Sequence, residues 1–294
     1  MLFLTGDSYS VVGSLDGVEH VVAKSVGFQE AIEVSVDNSD SFDNINIVEE
    51  YELIFRHDTI FVLPNCDMLL KETRKMLRRK SKMDEQAVLL GNFIGPHEGF
   101  FKFMKYLIQQ KKEKGKYLVF VKGKNEHNLM EYINQTNQYI GLEEDVGELI
   151  EAIESDLGYS LLLLENKHPE IYDIINEALP YYENNQYILT SGGIDLSTSK
   201  WRETSPENLY ETQNNFLKDK NNTGKTIIFG GIPVSSLHDN GSVRPWFDSG
   251  NKKICLDGNC RTDGKLLGAI FSEDDSYFLS VRKDKPEKNY YGYY

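Results

Sequence analysis

Thr59-Ile60-Phe61-Val62-Leu63 is followed by a helical stretch from Leu69 to Arg79, and then by Ala87-Val88-Leu89-Leu90. An apolar series comes next, Phe100, Phe101, Phe103, Met104, Leu107 and Ile108, and after it Tyr117-Leu118-Val119-Phe120-Val121. The three compact apolar runs have the length and β-branched character of buried strands, and the series between the last two recurs at helical spacing. This β-α-β-α-β order predicts a sheet with parallel strands, in which sites form beyond the carboxyl ends of the strands. The loops to read for chemistry are those after Leu63, Leu90 and Val121.

Upstream, residues 1–56 read as a small β-rich extension, with short strands at Leu2 to Thr5, His20 to Ala23, Ile32 to Val36 and Tyr51 to Phe55 and a turn-rich segment at Gly13-Ser14-Leu15-Asp16-Gly17. Downstream, Met130 to Tyr182 is mostly helical, with Leu149 to Ile153 and Ile171 to Leu179 its clearest segments. Strands return at Tyr187 to Leu189, Thr226 to Phe229, Lys253 to Leu256, Leu267 to Phe271 and Ser276 to Val281. The expected organisation is the extension at 1–56, a main domain at 57–283 and a tyrosine-rich tail at 284–294. The extension and the tail are the segments expected to meet a partner; exposed tyrosines favour interfaces.

At 40% hydrophobic residues the chain can bury a sizeable core. Three cysteines, Cys66, Cys255 and Cys260, are too few for a disulfide framework and form no CxxC pair, so a reducing cytoplasm is the expected compartment. Met1-Leu2-Phe3-Leu4-Thr5 reaches Asp7 with no basic flank, which predicts no secretory signal. No apolar stretch approaches membrane-spanning length. A formal net charge of −14 argues against nucleic acid or an anionic membrane as partner, because both would repel the chain. Acid gathers in Asp37 to Glu52, whereas base gathers from Arg74-Lys75 to Lys82 and from Lys111 to Lys124. Each basic cluster reads either as a solvated helix face or as a docking surface for an acidic partner.

The strand-end loops, in order, resemble the phosphoprotein-phosphatase branch of the calcineurin-like metallophosphoesterases. That family carries GDxHG, GDxxDRG, GNHE, a histidine before a small-residue turn, and GHTP followed by a DGG-like strand end. The second block falls on Gly91-Asn92-Phe93-Ile94-Gly95-Pro96-His97 and the third on Gly123-Lys124-Asn125-Glu126-His127. Two places compete for the first block. Gly6-Asp7-Ser8 lies 85 residues before Asn92, much further than the family spaces these blocks, whereas Asn65 lies 27 before it, behind a strand and ahead of a helix. Spacing favours Asn65-Cys66-Asp67. Ala178-Leu179-Pro180-Tyr181-Tyr182 through Thr190-Ser191-Gly192-Gly193-Ile194-Asp195 resembles the family's LPxYxxxxxYxxTHGGID. Trp201 to Pro206 resembles the segment after it, and Thr223-Gly224-Lys225-Thr226-Ile227-Ile228-Phe229-Gly230-Gly231-Ile232-Pro233-Val234 resembles TGKTVVFGHTPV. Leu256-Asp257-Gly258-Asn259-Cys260 with Gly264-Lys265-Leu266 resembles the closing strand pair. Residues 58 to 282 are covered.

The resemblance implies a mixed α/β fold, a calcineurin-like phosphoesterase β-sandwich flanked by helices. It also implies chemistry in which two cations, held by Asp, His and Asn, activate a water and clamp phosphate oxygens, with a third-block histidine as general acid. This chain departs from that pattern. The matched ligand positions read Asn65, Asp67, Asn92, Lys124 or Asn125, Ser191 and Gly231, and the third-block acid reads Asn125 or, one residue slipped, Glu126. Asparagine offers a neutral carbonyl, serine a neutral hydroxyl and glycine nothing. The expectation is no catalytic residue, no metal and no cofactor: a pseudophosphatase acting as a binding or regulatory protein toward an unknown protein partner. Two alternatives stay open. One is a binder of a phosphorylated metabolite or nucleotide that uses Lys124 and backbone amides in place of metals. The other is an active phosphoesterase with rearranged ligands drawn from His97, His127, His238 and Asp67.

Overall fold

The computed structural model describes residues 9–15, 18–26, 44–49, 59–80, 86–134, 144–262, 265–272 and 276–282. The chain divides into two compact units, residues 1–56 and 57–294. In the first, strands β1 (Tyr9–Leu15), β2 (Val18–Val26) and β3 (Asn44–Glu49) form an antiparallel sheet in the order β2-β1-β3. Gly13 to Leu15, expected in a turn, are strand: β1 and β2 stay paired as far as Leu15 opposite Val18. The expected strands at 2–5, 32–36 and 51–55, Gly6-Asp7-Ser8 and the tail lie outside the described residues.

The second unit alternates as expected through β4 (Thr59–Pro64), α1 (Leu70–Lys80), β5 (Gln86–Leu90), α2 (Phe100–Lys114) and β6 (Leu118–Val121). Helices α3 (Lys124–Ile133), α4 (Glu144–Leu157), α5 (Leu164–Lys167) and α6 (Pro169–Asn176) follow. The helix expected to reach Leu179 ends at Asn176, because Leu179 bridges to Val121 at the sheet edge. Then come β7 (Tyr182–Glu183), β8 (Tyr187–Leu189), α7 (Pro206–Tyr210), α8 (Asn214–Lys218), β9 (Thr226–Phe229), α9 (Val234–Leu237), β10 (Trp246–Phe247), β11 (Lys253–Cys255), β12 (Lys265–Ser272) and β13 (Ser276–Arg282).

Two five-stranded sheets result, ordered β13-β12-β4-β5-β6 and β10-β11-β9-β8-β7. Strands β4, β5 and β6 run parallel, as do β8, β9 and β11. Period-two alternation divides each strand between two layers. Ile60, Val62, Val88 and Leu90 pack with Leu189, Ile228, Ile254 and Leu256 between the sheets. Phe61, Leu63, Leu89 and Phe120 join the helical residues Phe103, Leu107, Leu129, Leu149 and Ile171 in the larger core. On the far side of the second sheet, Ile188, Ile227 and Phe229 meet Trp201, Tyr210 and Phe216. The unit is a β-sandwich with helices on its outer faces. Among the described residues no helix is long and apolar enough to cross a membrane, and the three cysteines are buried and form no disulfide.

Candidate functional site

Register brings the strand-end loops together. Pro64 stands opposite Leu90, and Leu90 opposite Val121, so the segments beginning at Asn65, Gly91 and Lys122 lie side by side. Backbone bonds staple them: Asn65 N–H donates to Leu90 O at 3.0 Å, Asp67 N–H to Asn92 O at 3.1 Å and Met68 N–H to Phe93 O at 3.0 Å. Asn65, Asp67, Met68, Gly91 and Asn92 all hold φ between 41° and 54°. This left-handed region suits glycine and tolerates asparagine and aspartate, but in Met68 it is strain that surrounding structure must hold in place.

Asn65 joins the two sheets. Its Nδ2 donates to Gly230 O at 2.6 Å and to Asp257 Oδ2 at 2.7 Å, while its Oδ1 is buried without a hydrogen-bond partner. An aspartate at 65 would set one carboxylate against another and against a carbonyl. The neutral amide is the side chain this packing needs.

Asp67 is held by Arg261, whose Nε donates to Asp67 Oδ2 at 2.5 Å and whose Nη2 donates to Asp67 O at 2.6 Å. His97 Nε2 lies 3.5 Å from the same carboxylate. Burial pushes the Asp67 carboxyl up, and Arg261 and His97 pull it back towards ionisation. The sequence carries no sign of Arg261: it sits 194 residues from Asp67 and outside every block.

The third-block loop divides its residues between two directions. Lys124 Nζ points to Glu211 Oε1 at 2.6 Å and Asp145 Oδ2 at 3.1 Å, and these carboxylates hold its pKa above the ordinary lysine value. Asn125 stays with the site: its N–H donates to Asn92 Oδ1 at 3.1 Å and its Nδ2 to Ile94 O at 2.8 Å. Beneath them Glu126 is fully buried and accepts N–H groups of Asn92 at 2.9 Å, Ile94 at 2.8 Å and Gly123 at 2.8 Å. Burial pushes its carboxyl up to about 7 against those donors. Glu126 is thus the knot tying the second and third loops together.

The last two matched positions close against each other. Ser191 is buried with its Oγ unpartnered. A Cβ at Gly231 would fall 2.9 Å from Gly192 Cα, Ser191 O and Thr212 Oγ1 alike. Of the histidines considered as rearranged ligands, only His97 approaches Asp67. His127 packs on the Tyr210 ring at 4.8 Å and His238 Nε2 lies 3.1 Å from Arg244 O, so these two are not gathered with Asp67.

A two-cation centre needs several anionic or imidazole donors converging on one space. Here Asp67 is neutralised by a guanidinium, Asp257 is taken by Asn65 and by the N–H of Asn259, and Gly231 supplies no donor. Among the described residues no group of three or more His, Cys, Asp or Glu is placed to hold a metal ion. The donor set present does not fit the metals that the resemblance implies.

No protein-family model matches the sequence, and no curated protein matches it. Solved structures do match. A candidate diadenosine tetraphosphatase covers 78% of this chain and 95% of its own length, at 12% identity and a TM-score of 0.54. The cold-active protein-tyrosine phosphatase of a psychrophilic Shewanella species covers 96% of this chain and 97% of its own, at 12% identity and a TM-score of 0.50. At such identity the likeness speaks to fold alone. Together with the two sheets and the loop order, it establishes that the chain has the calcineurin-like phosphoesterase fold.

Proposed function

We propose that this chain is a catalytically inactive phosphoesterase-fold protein, a pseudophosphatase that acts by binding a partner in a reducing cytoplasm. The observation that carries this reading is the pairing of Arg261 with Asp67. Asp67 is the one anionic residue among the matched ligand positions, and a group that stays charged at all physiological pH values sits on it. A divalent cation arriving there would meet a fixed positive charge rather than a free ligand. The amide of Asn65 and the closed space at Gly231 support the same reading. Titration with manganese by calorimetry tests it. The expected result is no stoichiometric binding; one or two equivalents bound, with hydrolysis of p-nitrophenyl phosphate that Asp67→Ala abolishes, would sink the proposal.

Arg261 and His97 around Asp67 support a second reading, a pocket that holds a phosphorylated metabolite or nucleotide without cleaving it. Lys124, the cation first expected for that role, is instead engaged with Glu211 and Asp145. A thermal-shift screen of mononucleotides and dinucleotides separates the readings, since a micromolar ligand raises the melting temperature. A shift that Arg261→Ala removes favours the pocket, and no shift favours a protein partner.

A further inference from the structure

Helices α1 and α2 begin where β4 and β5 end, at the carboxyl edge of the parallel strands, and between their first turns lies an open cleft of about 430 Å³. Leu70, Lys71, Arg74, Lys75 and Lys102 line it. Lys71, Arg74 and Lys75 share one helix face through their i, i+3, i+4 spacing, while Glu72, Thr73, Met76 and Leu77 turn inward and are buried. Lys102 adds a fourth cation from the neighbouring helix. None of these cations has an ion pair among the described residues; the guanidinium of Arg74 lies 5.1 Å from the Tyr106 ring centroid, which holds it in place. The chain carries 46 acidic residues against 32 basic ones, so four converging cations that make no ion pair among the described residues run against its overall composition.

We infer that this cleft is a binding site for a compact, multiply phosphorylated anion, with Lys71, Arg74, Lys75 and Lys102 as its recognition groups. A phosphate group carries about −1.5 to −2 charges near neutral pH and three acceptor oxygens, so two or three linked phosphates balance four cations within this small volume. Acidic side chains, spread one per residue, do not concentrate charge as densely. Two helix N-termini facing the same edge add their positive ends to the field. Among the described residues that line the cleft there is no aromatic ring to stack a base, so recognition falls on the phosphates themselves. The inference does not depend on whether the strand-end site hydrolyses anything.

Calorimetry of the full chain with tripolyphosphate at about 0.15 M ionic strength tests it. Binding is expected, and Lys71→Gln, Lys75→Gln and Lys102→Gln together should weaken it by about tenfold or more, three exposed charge contacts acting jointly. The same charge change at Lys112, Lys220 and Lys252 should leave affinity nearly unchanged. Binding of a doubly phosphorylated peptide in parallel supports the same chemistry and identifies a protein as the carrier of the phosphates. No binding of tripolyphosphate, equal weakening by the two variant sets, or an unphosphorylated Asp/Glu peptide binding as tightly would each overturn the inference.

Discussion

Gly231→Ala isolates what the closed site costs to open. Only one methyl group is added, at the position where the resembled family places a metal-binding imidazole. Its Cβ would meet Gly192 Cα, Ser191 O and Thr212 Oγ1, each at 2.9 Å. The neighbours have little room to yield. Ser191 O accepts the N–H of Gly230 at 2.9 Å, Gly192 N–H donates to Leu209 O at 2.7 Å, and the Thr212 hydroxyl donates to Gly192 O at 2.8 Å. Gly192 in turn is pressed against the backbone of Glu211, which a Cβ of its own would approach to 2.4 Å. Moving the loop therefore breaks hydrogen bonds, and the expected cost is that of overpacking a tight core, about 1–3 kcal/mol. In urea denaturation the midpoint should fall by about 0.5–1 M with the slope unchanged. Gly231→His should fare worse and bind no manganese. If Gly231→Ala unfolds at the wild-type midpoint, or Gly231→His recovers stoichiometric manganese, the site is not closed at Gly231 and the ligand position is open.

A glycine in open space makes the contrast. Gly147 lies inside α4 with nothing within 4 Å of its Cβ position, so Gly147→Ala should stabilise the chain by about 0.5–1 kcal/mol, raising the same urea midpoint. Lys253 is buried, and its Nζ donates to Phe216 O, Leu217 O and Asp219 O at 2.8 Å each. Lys253→Met keeps the stem but strands those carbonyls, and thermal melting should show a loss of about 2–4 kcal/mol. Glu126 predicts a pH dependence. Its folded pKa of about 7 stands above the ordinary glutamate value of 4.5, so the folded chain holds the proton more tightly than the unfolded one. That contribution is fully present below about 4.5 and is lost as pH rises to about 7, on the order of 3 kcal/mol. The stability of wild type relative to Glu126→Gln should therefore fall across this window, and a flat difference would refute the assignment.

The order of elements was legible because it is written in local periodicity. Strands β4, β5 and β6 and helix α2 appear as apolar runs and a helical stripe whose spacing needs no partner to be read. The blocks at Asn65, Asn92, Ser191 and Gly231 were legible for a related reason: they sit at strand ends, where the chain order alone directs attention. What each position does was decided by the tertiary structure. Lys124 and Asn125 are adjacent in sequence, yet the side chain of one faces Glu211 and Asp145 and that of the other faces the Ile94 carbonyl, because a helix turns successive side chains by about 100°. Arg261 reaches Asp67 across 194 residues, and Asn65 reaches Asp257 across 192. Such contacts depend on how two sheets stack, and no local spacing records them. The identities at the matched positions therefore raised the expectation of a weakened metal site, whereas the guanidinium on Asp67, the closed space at Gly231 and the cationic cleft between α1 and α2 emerge only once the sheets and helices are packed.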